Sequence, residues 1–286
     1  GTISKASSRG YNLIQGNNLT VTQVHPKTEV VRESHNVGEA MEDLRRLAEE
    51  RLGKTDLDSG LDYGTIAISK YRKSDGTNSW LVTIPGTDGK HDSPFGWPQN
   101  VELMSSDSKQ RMEADSARMV QEAMKQAGIK SNEPVALIGH SQGGIVAATI
   151  ASDLKDDYDI EHVVTAGSPV ANHPIPEKTW VTSVEMDDEL VAALDGAANP
   201  SSDHWLTVRG TASKSSSNQE STFAGTPVTD APDNKEITHW LKYHQAAYQN
   251  ATDMGSTAVN THERHFDEII DGDLQEVMYF EGRMSK

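Results

Sequence analysis

The chain has 286 residues, enough for one large domain or two small ones and for a core that buries about 75% of the unfolded surface. Its 26 Lys and Arg stand against 43 Asp and Glu, a net charge of −17, so the field around the molecule repels nucleic acids and anionic membrane surfaces, and neither is expected as a partner. With Cys 0 there is no disulfide, no thiolate metal site and no cysteine nucleophile. No run approaches the roughly 18 apolar residues of a membrane span, so no stable membrane insertion is expected.

Residues 1–34 read as an N-terminal extension, polar at first, that carries a short alternating strand, Leu19-Thr20-Val21-Thr22-Gln23-Val24. A helix follows. Asn36 and Glu39 have the spacing of a capping box, Met41, Leu44, Leu47 and Ala48 repeat at helical intervals, and Gly53 stands where a terminating glycine belongs. Two strands over 63–71 and 80–84 flank Asp75-Gly76, which predicts a hairpin. From Ile84 onward strand, loop and helix alternate, the rhythm of a parallel sheet covered by helices. The spacing of Met112, Met119, Val120, Ala123 and Ala127 predicts a helix over 106–127 with its methionines in the core. Residues 134–138 form a wholly apolar strand, 143–154 a small-residue helix, and 162–165 and 180–184 further strands. The stretch 195–236 is rich in Ser, Thr, Asn, Gly and Pro and reads as an irregular excursion or cap. A helix over 237–250 and a last strand over 277–280 complete the chain.

The chemistry concentrates in Gly139-His140-Ser141-Gln142-Gly143-Gly144, a G-x-S-x-G sequence between the buried strand and the small-residue helix. A sharp strand-to-helix turn exposes a serine Oγ above the sheet edge, and glycines two residues either side allow close backbone approach. The same turn puts the Gln142 N–H at a helix start, where it is free to meet a developing oxyanion. A serine nucleophile needs a base and a group that orients the base, and proteins with this elbow carry them in the order Ser, acid, His. Asp187 and Asp188 follow the strand over 180–184, at the end of the sheet where α/β folds place their sites. Asp188 is preferred because Leu190 and Val191 can anchor the loop beneath it, and Asp187 is the alternative. His239, where the excursion gives way to helix, is the preferred base, with His244 as the alternative.

These residues, taken with Pro85-Gly86-Thr87, Trp97, Asn100 and Gly167-Ser168-Pro169, make the chain resemble the α/β-hydrolase superfamily. Within it, the chain is similar to the class 3 lipase-like group and related bacterial serine hydrolases. The ordered set spans 84–247 and includes Asp188-Glu189-Leu190-Val191 and His239. The resemblance implies a single domain over 1–286 with a mostly parallel central sheet, helices on both faces and the excursion at 195–236. It also implies that Thr87 supplies the second oxyanion donor beside Gln142. Pro85 stands where such proteins commonly have arginine, and no amphipathic lid is recognisable near 88–97, so interfacial activation on lipid droplets is not expected.

The expected activity is hydrolysis of carboxylic esters, through Ser141, His239 and Asp188, on a small-molecule or lipid ester, with no cofactor and no metal. Acyl transfer to an alcohol shares the same acyl-enzyme, and a silent domain that binds a partner through 195–236 is the rival from another class. The opening Gly1-Thr2-Ile3 without Met reads as a mature or excised form, and an acidic, Cys-free, loop-rich chain suits a secreted or cell-surface bacterial protein, with the cytoplasm as the alternative. Three weaker patterns carry no function. Gly86–Lys90 lacks the P-loop spacing, Asp56–Gly60 lacks the ligands of a calcium loop, and His262-Glu263-Arg264-His265 lacks the H-E-x-x-H spacing. All three read as solvated loops or helix faces.

Overall fold

A computed structural model describes residues 18–96, 106–186, 202–210, 212–214, 221–223, 226–228 and 241–286. Strand β1 (Asn18–Val24) is followed by helix α1 (Val37–Glu50) and the hairpin β2 (Thr65–Arg72) and β3 (Asn78–Ile84). Then come α2 (Ser106–Ala127), β4 (Pro134–His140), α3 (Gln142–Asp153), β5 (Asp159–Ala166), β6 (Trp180–Met186) and β7 (Trp205–Gly210). Three short strands, β8 (Ala212–Lys214), β9 (Ser221–Phe223) and β10 (Thr226–Val228), precede α4 (Leu241–Asp253), α5 (Thr257–Ile269) and β11 (Asp273–Ser285).

One eight-stranded sheet runs β1-β11-β2-β3-β4-β5-β6-β7. Pairing is parallel from β3 to β7 and antiparallel from β1 to β3. Successive side chains on a strand face opposite ways. Leu81, Ala136, Ile138 and Val164 accordingly join a core with α1, α4 and α5, whereas Trp80, Val82, Val135, Leu137 and Val163 join one with α2 and α3. Burial on both faces is why β4 reads as an unbroken apolar run. Met119, Val120 and Ala123 of α2 lie fully inside, and Gly128, φ 85°, ends that helix. Asn36 caps α1 by accepting from the Glu39 N–H at 2.8 Å, but the Glu39 carboxylate returns to the His35 N–H (2.9 Å), one residue short of the reciprocal bond. Among the described residues no helix is long and apolar enough to cross a membrane.

The region expected to be an irregular excursion holds regular structure where it is described. Its Trp205–Gly210 segment extends the parallel sheet as β7, and 212–228 contributes a second, three-stranded antiparallel sheet. Trp205 and Val208, two of the few apolar residues in this Ser- and Thr-rich stretch, are buried and anchor it.

The expected solvated face of α5 is instead partly inside, with His262 buried, Glu263 and His265 half-buried and Arg264 exposed. At the end of the sheet where β5 and β6 begin, Trp180 stacks against His265 (4.2 Å between ring centroids) and His204 (4.6 Å). His162 Nδ1 lies 3.0 Å from His265 Nδ1 and its Nε2 lies 2.9 Å from Thr182 Oγ1, while His262 Nδ1 is 3.2 Å from that hydroxyl and Nε2 is 3.0 Å from Asp203 O. A carbonyl can only accept, so with neutral rings every proton in the chain is assigned. His265 Nδ1–H donates to His162, His162 Nε2–H to Thr182, the Thr182 hydroxyl to His262, and His262 Nε2–H to Asp203. Burial, and then neighbouring imidazoles, holds His162 well below the usual histidine range and His265 down at about 4; burial lowers His262 as well. Rings depressed in the folded state bind fewer protons than they do unfolded, so the stability they contribute is present above the unfolded value of 6.5 and is lost as pH falls below it. Glu161 and Asp267, both pushed up to about 7 chiefly by burial, act with the opposite sign and lose stability as pH rises.

Thr182→Val keeps the shape of this buried residue and removes the hydroxyl that joins two imidazoles. The variant is expected to lose about 1–3 kcal/mol in urea unfolding, because the His162 Nε2–H is left buried without an acceptor, and Thr182→Ser is expected to recover most of it. Equal midpoints for Thr182→Val and the parent would rule out the chain of bonds as a source of stability.

Candidate active site

Strand β4 ends at His140 and α3 begins at Gln142, which leaves Ser141 alone to turn the chain. It does so at φ 56° and ψ −120°, and among the described residues only Asp58 is another non-glycine with positive φ. Such a conformation costs about 1–3 kcal/mol and persists only where its surroundings over-determine it. Here the Ser141 N–H donates to Ala166 O on β5 at 2.8 Å. Its carbonyl accepts from Ser168 Oγ (2.8 Å) and from the Gly144 and Ile145 N–H groups at 3.0 and 3.2 Å. Ser168 belongs to Gly167-Ser168-Pro169, so the turn after β5 braces the turn after β4. The sequence displayed that tripeptide without indicating this role.

The glycines of the elbow let three backbones meet. A Cβ on Gly139 would stand 2.2 Å from Gly143 O, one on Gly143 2.0 Å from Ile84 O, and one on Gly144 1.9 Å from Ser168 Oγ. On the β3 side the loop over 85–96 closes against the serine. A Cβ on Gly86 would lie 3.2 Å from Ser141 Cβ and 2.8 Å from His140 O. Thr87 comes next in the chain. Among the described residues neither the Thr87 nor the Gln142 backbone N–H has a hydrogen-bond partner. A backbone N–H on each of the two segments flanking a serine is an arrangement that can receive a developing oxyanion. The fully buried Gln142 side chain ties these segments together. Its Nε2 donates to Ser116 Oγ on α2 (3.0 Å) and Pro94 O (3.3 Å), and its Oε1 accepts from Thr87 Oγ1 at 3.4 Å.

Of the sequence-predicted site residues, Ser141, Gln142 and Thr87 meet at the ends of β3 and β4. Asp187, Asp188 and His239 lie outside the described residues, as do Trp97 and Asn100. The alternative base, His244, is fully buried on α4 with its ring edge-on to that of His140, 5.8 Å between centroids. Helix α4 therefore brings an imidazole to the residue that precedes Ser141. Among the described residues no group of three or more His, Asp or Glu is arranged to hold a metal ion.

Residues 100–222 match the family described as PGAP1-like alpha/beta domain. A comparison with curated proteins gives no match. Among solved structures the chain is similar to the Lip2 lipase from Yarrowia lipolytica, with 11% identity, coverage of 78% of this chain and 94% of that one, and a TM-score of 0.30. The parallel strands β3 to β7, the helices on both faces and the serine elbow at the end of β4 give this chain an α/β fold consistent with that of the α/β-hydrolases, and over 100–222 it is similar to the PGAP1-like alpha/beta domain.

Proposed function

We propose that the protein is a serine hydrolase that cleaves carboxylic esters through an acyl-enzyme on Ser141. The observation that carries this reading is the strained φ of 56° at Ser141, held between two segments whose Thr87 and Gln142 N–H groups have no partner among the described residues. Strain at a serine contributes nothing to stability, and its use is to present Oγ to a substrate carbonyl.

In the proposed reaction Ser141 Oγ attacks the carbonyl carbon as His239 removes its proton, and Asp188 orients the ring and stabilises the imidazolium. The carbonyl oxygen becomes an oxyanion between the Gln142 and Thr87 N–H groups. His239 returns the proton to the departing alkoxide, then activates a water that releases the acid. The net charge of −17 favours neutral or soluble esters over anionic lipid surfaces, and with the Cys-free composition it supports a secreted or cell-surface location.

A fluorophosphonate probe tests the assignment, because it phosphonylates only a serine activated by a base. The expected result is a single adduct that maps by mass spectrometry to Ser141, with parallel loss of p-nitrophenyl ester hydrolysis. A folded protein that neither reacts with the probe nor hydrolyses short- and long-chain esters would overturn the reading.

A further inference from the structure

Arg51 is the C-cap residue of α1, and its side chain is 2% exposed. Its Nη2 donates to Gly86 O at 2.7 Å and, at 3.4 Å, to Thr87 O, while Nη1 reaches Asp88 Oδ2 at 3.4 Å. The Asp88 side chain is itself fully buried and gathers the loop around this contact. Its Oδ2 accepts from the Gly64 N–H (2.8 Å) and Ser93 Oγ (2.6 Å), and its Oδ1 from the Lys90 N–H at 3.1 Å. Burial pulls the guanidinium down to about 10 against the opposing pull of Asp88, and Arg51 Nε has no hydrogen-bond partner among the described residues. A buried ion pair of this kind is a poor source of stability, since well-packed apolar side chains of similar volume often do as well or better. What an apolar pair cannot supply is direction.

The direction follows from peptide geometry. The Gly86 carbonyl and the Thr87 N–H belong to one planar trans unit and point opposite ways. A donor that fixes the carbonyl oxygen on the α1 side therefore fixes the N–H on the other. That N–H belongs to the loop that borders Ser141 and has no partner among the described residues. We propose that Arg51 is a positioning residue of the oxyanion hole: by holding the Gly86 carbonyl it aims the Thr87 N–H at the carbonyl oxygen of an ester bound at Ser141. The inference rests on the serine-hydrolase reading above and adds to it a residue 35 positions away from the Gly86 carbonyl it holds. Arg51 touches no reacting atom. It acts through one peptide plane, with Asp88 keeping the guanidinium in place.

The test uses the full chain with Arg51→Lys, which retains a positive charge but cannot reach two carbonyls and a carboxylate at once. Losing one oxyanion donor outright costs about 10²–10³ in kcat, so a misaimed donor is expected to lower kcat about 10–100-fold with KM within about twofold. An aryl trifluoromethyl ketone supplies a readout that a purely structural role would not move. It adds to the serine as a tetrahedral oxyanion, and its affinity is expected to fall by the same factor as kcat/KM. Should Arg51→Lys fail to fold, Asp88→Asn, which leaves the guanidinium with a weaker anchor, is expected to lower kcat and ketone affinity together by about tenfold. A folded variant with kcat within about threefold of the parent, or with kcat reduced and ketone affinity unchanged, would overturn the role of Arg51. A parent protein that neither hydrolyses esters nor reacts with the fluorophosphonate would overturn the serine-hydrolase reading instead, so the two failures are distinct.

Discussion

Ser141→Ala is expected to lower kcat/KM for a p-nitrophenyl ester by about 10⁶-fold while leaving the unfolding midpoint close to that of the parent. The two halves of this expectation have separate causes. The rate falls because no other group can form the acyl-enzyme, and the base and oxyanion donors act as a unit with the nucleophile. Most of the stability is retained because the Ser141 main-chain hydrogen bonds to Ala166 O and Ser168 Oγ help hold the elbow, and alanine keeps them. Alanine also keeps the conformational cost of φ 56°, whereas Ser141→Gly removes it and is expected to raise stability by about 1 kcal/mol with equal loss of activity. Activity of Ser141→Ala within tenfold of the parent, in material free of parent protein, would remove Ser141 from the chemistry.

The parts of this site that can be read from sequence are those set by neighbours in the chain. The apolar run before Gly139 and the small residues after it specify a strand buried on both faces and a helix pressed against it, and the structure has β4 and α3 there. The Ala127-Gly128 boundary of α2 is equally local, since a left-handed residue ends a helix wherever it occurs. What escapes a reading along the chain is contact at long range. Arg51 looks like one more exposed residue on a charged helix end, because the carbonyl it holds lies in a loop 35 residues on. Ser168 is 27 residues from the carbonyl it braces. His262 and His265 read as a polar helix face because their partners, His162 and Thr182, are set on β5 and β6. Strand β11 is longer than its apolar centre suggests. Met278, Tyr279 and Phe280 are buried, but the pairing of β11 with β1 and β2 carries it from Asp273 to Ser285 through Glu276, Glu281 and Arg283. Pairing on both edges satisfies the backbone whatever the side chains are.

Gly143→Ala is expected to be the most damaging small substitution in the elbow, with a loss at or beyond the upper end of the about 1–3 kcal/mol typical of overpacking. The added methyl would stand 2.0 Å from Ile84 O and 2.6 Å from Pro85 O. These are backbone atoms at the end of a strand locked between β2 and β4, with Ile84 opposite Gly139, so no rotamer change relieves the contact. Either α3 retreats from β3 or β3 bends, and both separate the Gln142 N–H from the Thr87 N–H. Gly128→Ala serves as the comparison. Nothing lies within 4 Å of its added methyl, and its φ of 85° alone is unfavourable, which predicts about 1–2 kcal/mol and unchanged kcat. Urea unfolding of the two variants separates a steric cause from a conformational one, since Gly143 is absent from the described residues with positive φ. If Gly143→Ala unfolds at the same denaturant concentration as Gly128→Ala and turns over ester at the parental rate, the close approach of β3 and α3 is not what holds the two donors together, and the oxyanion hole must be built some other way.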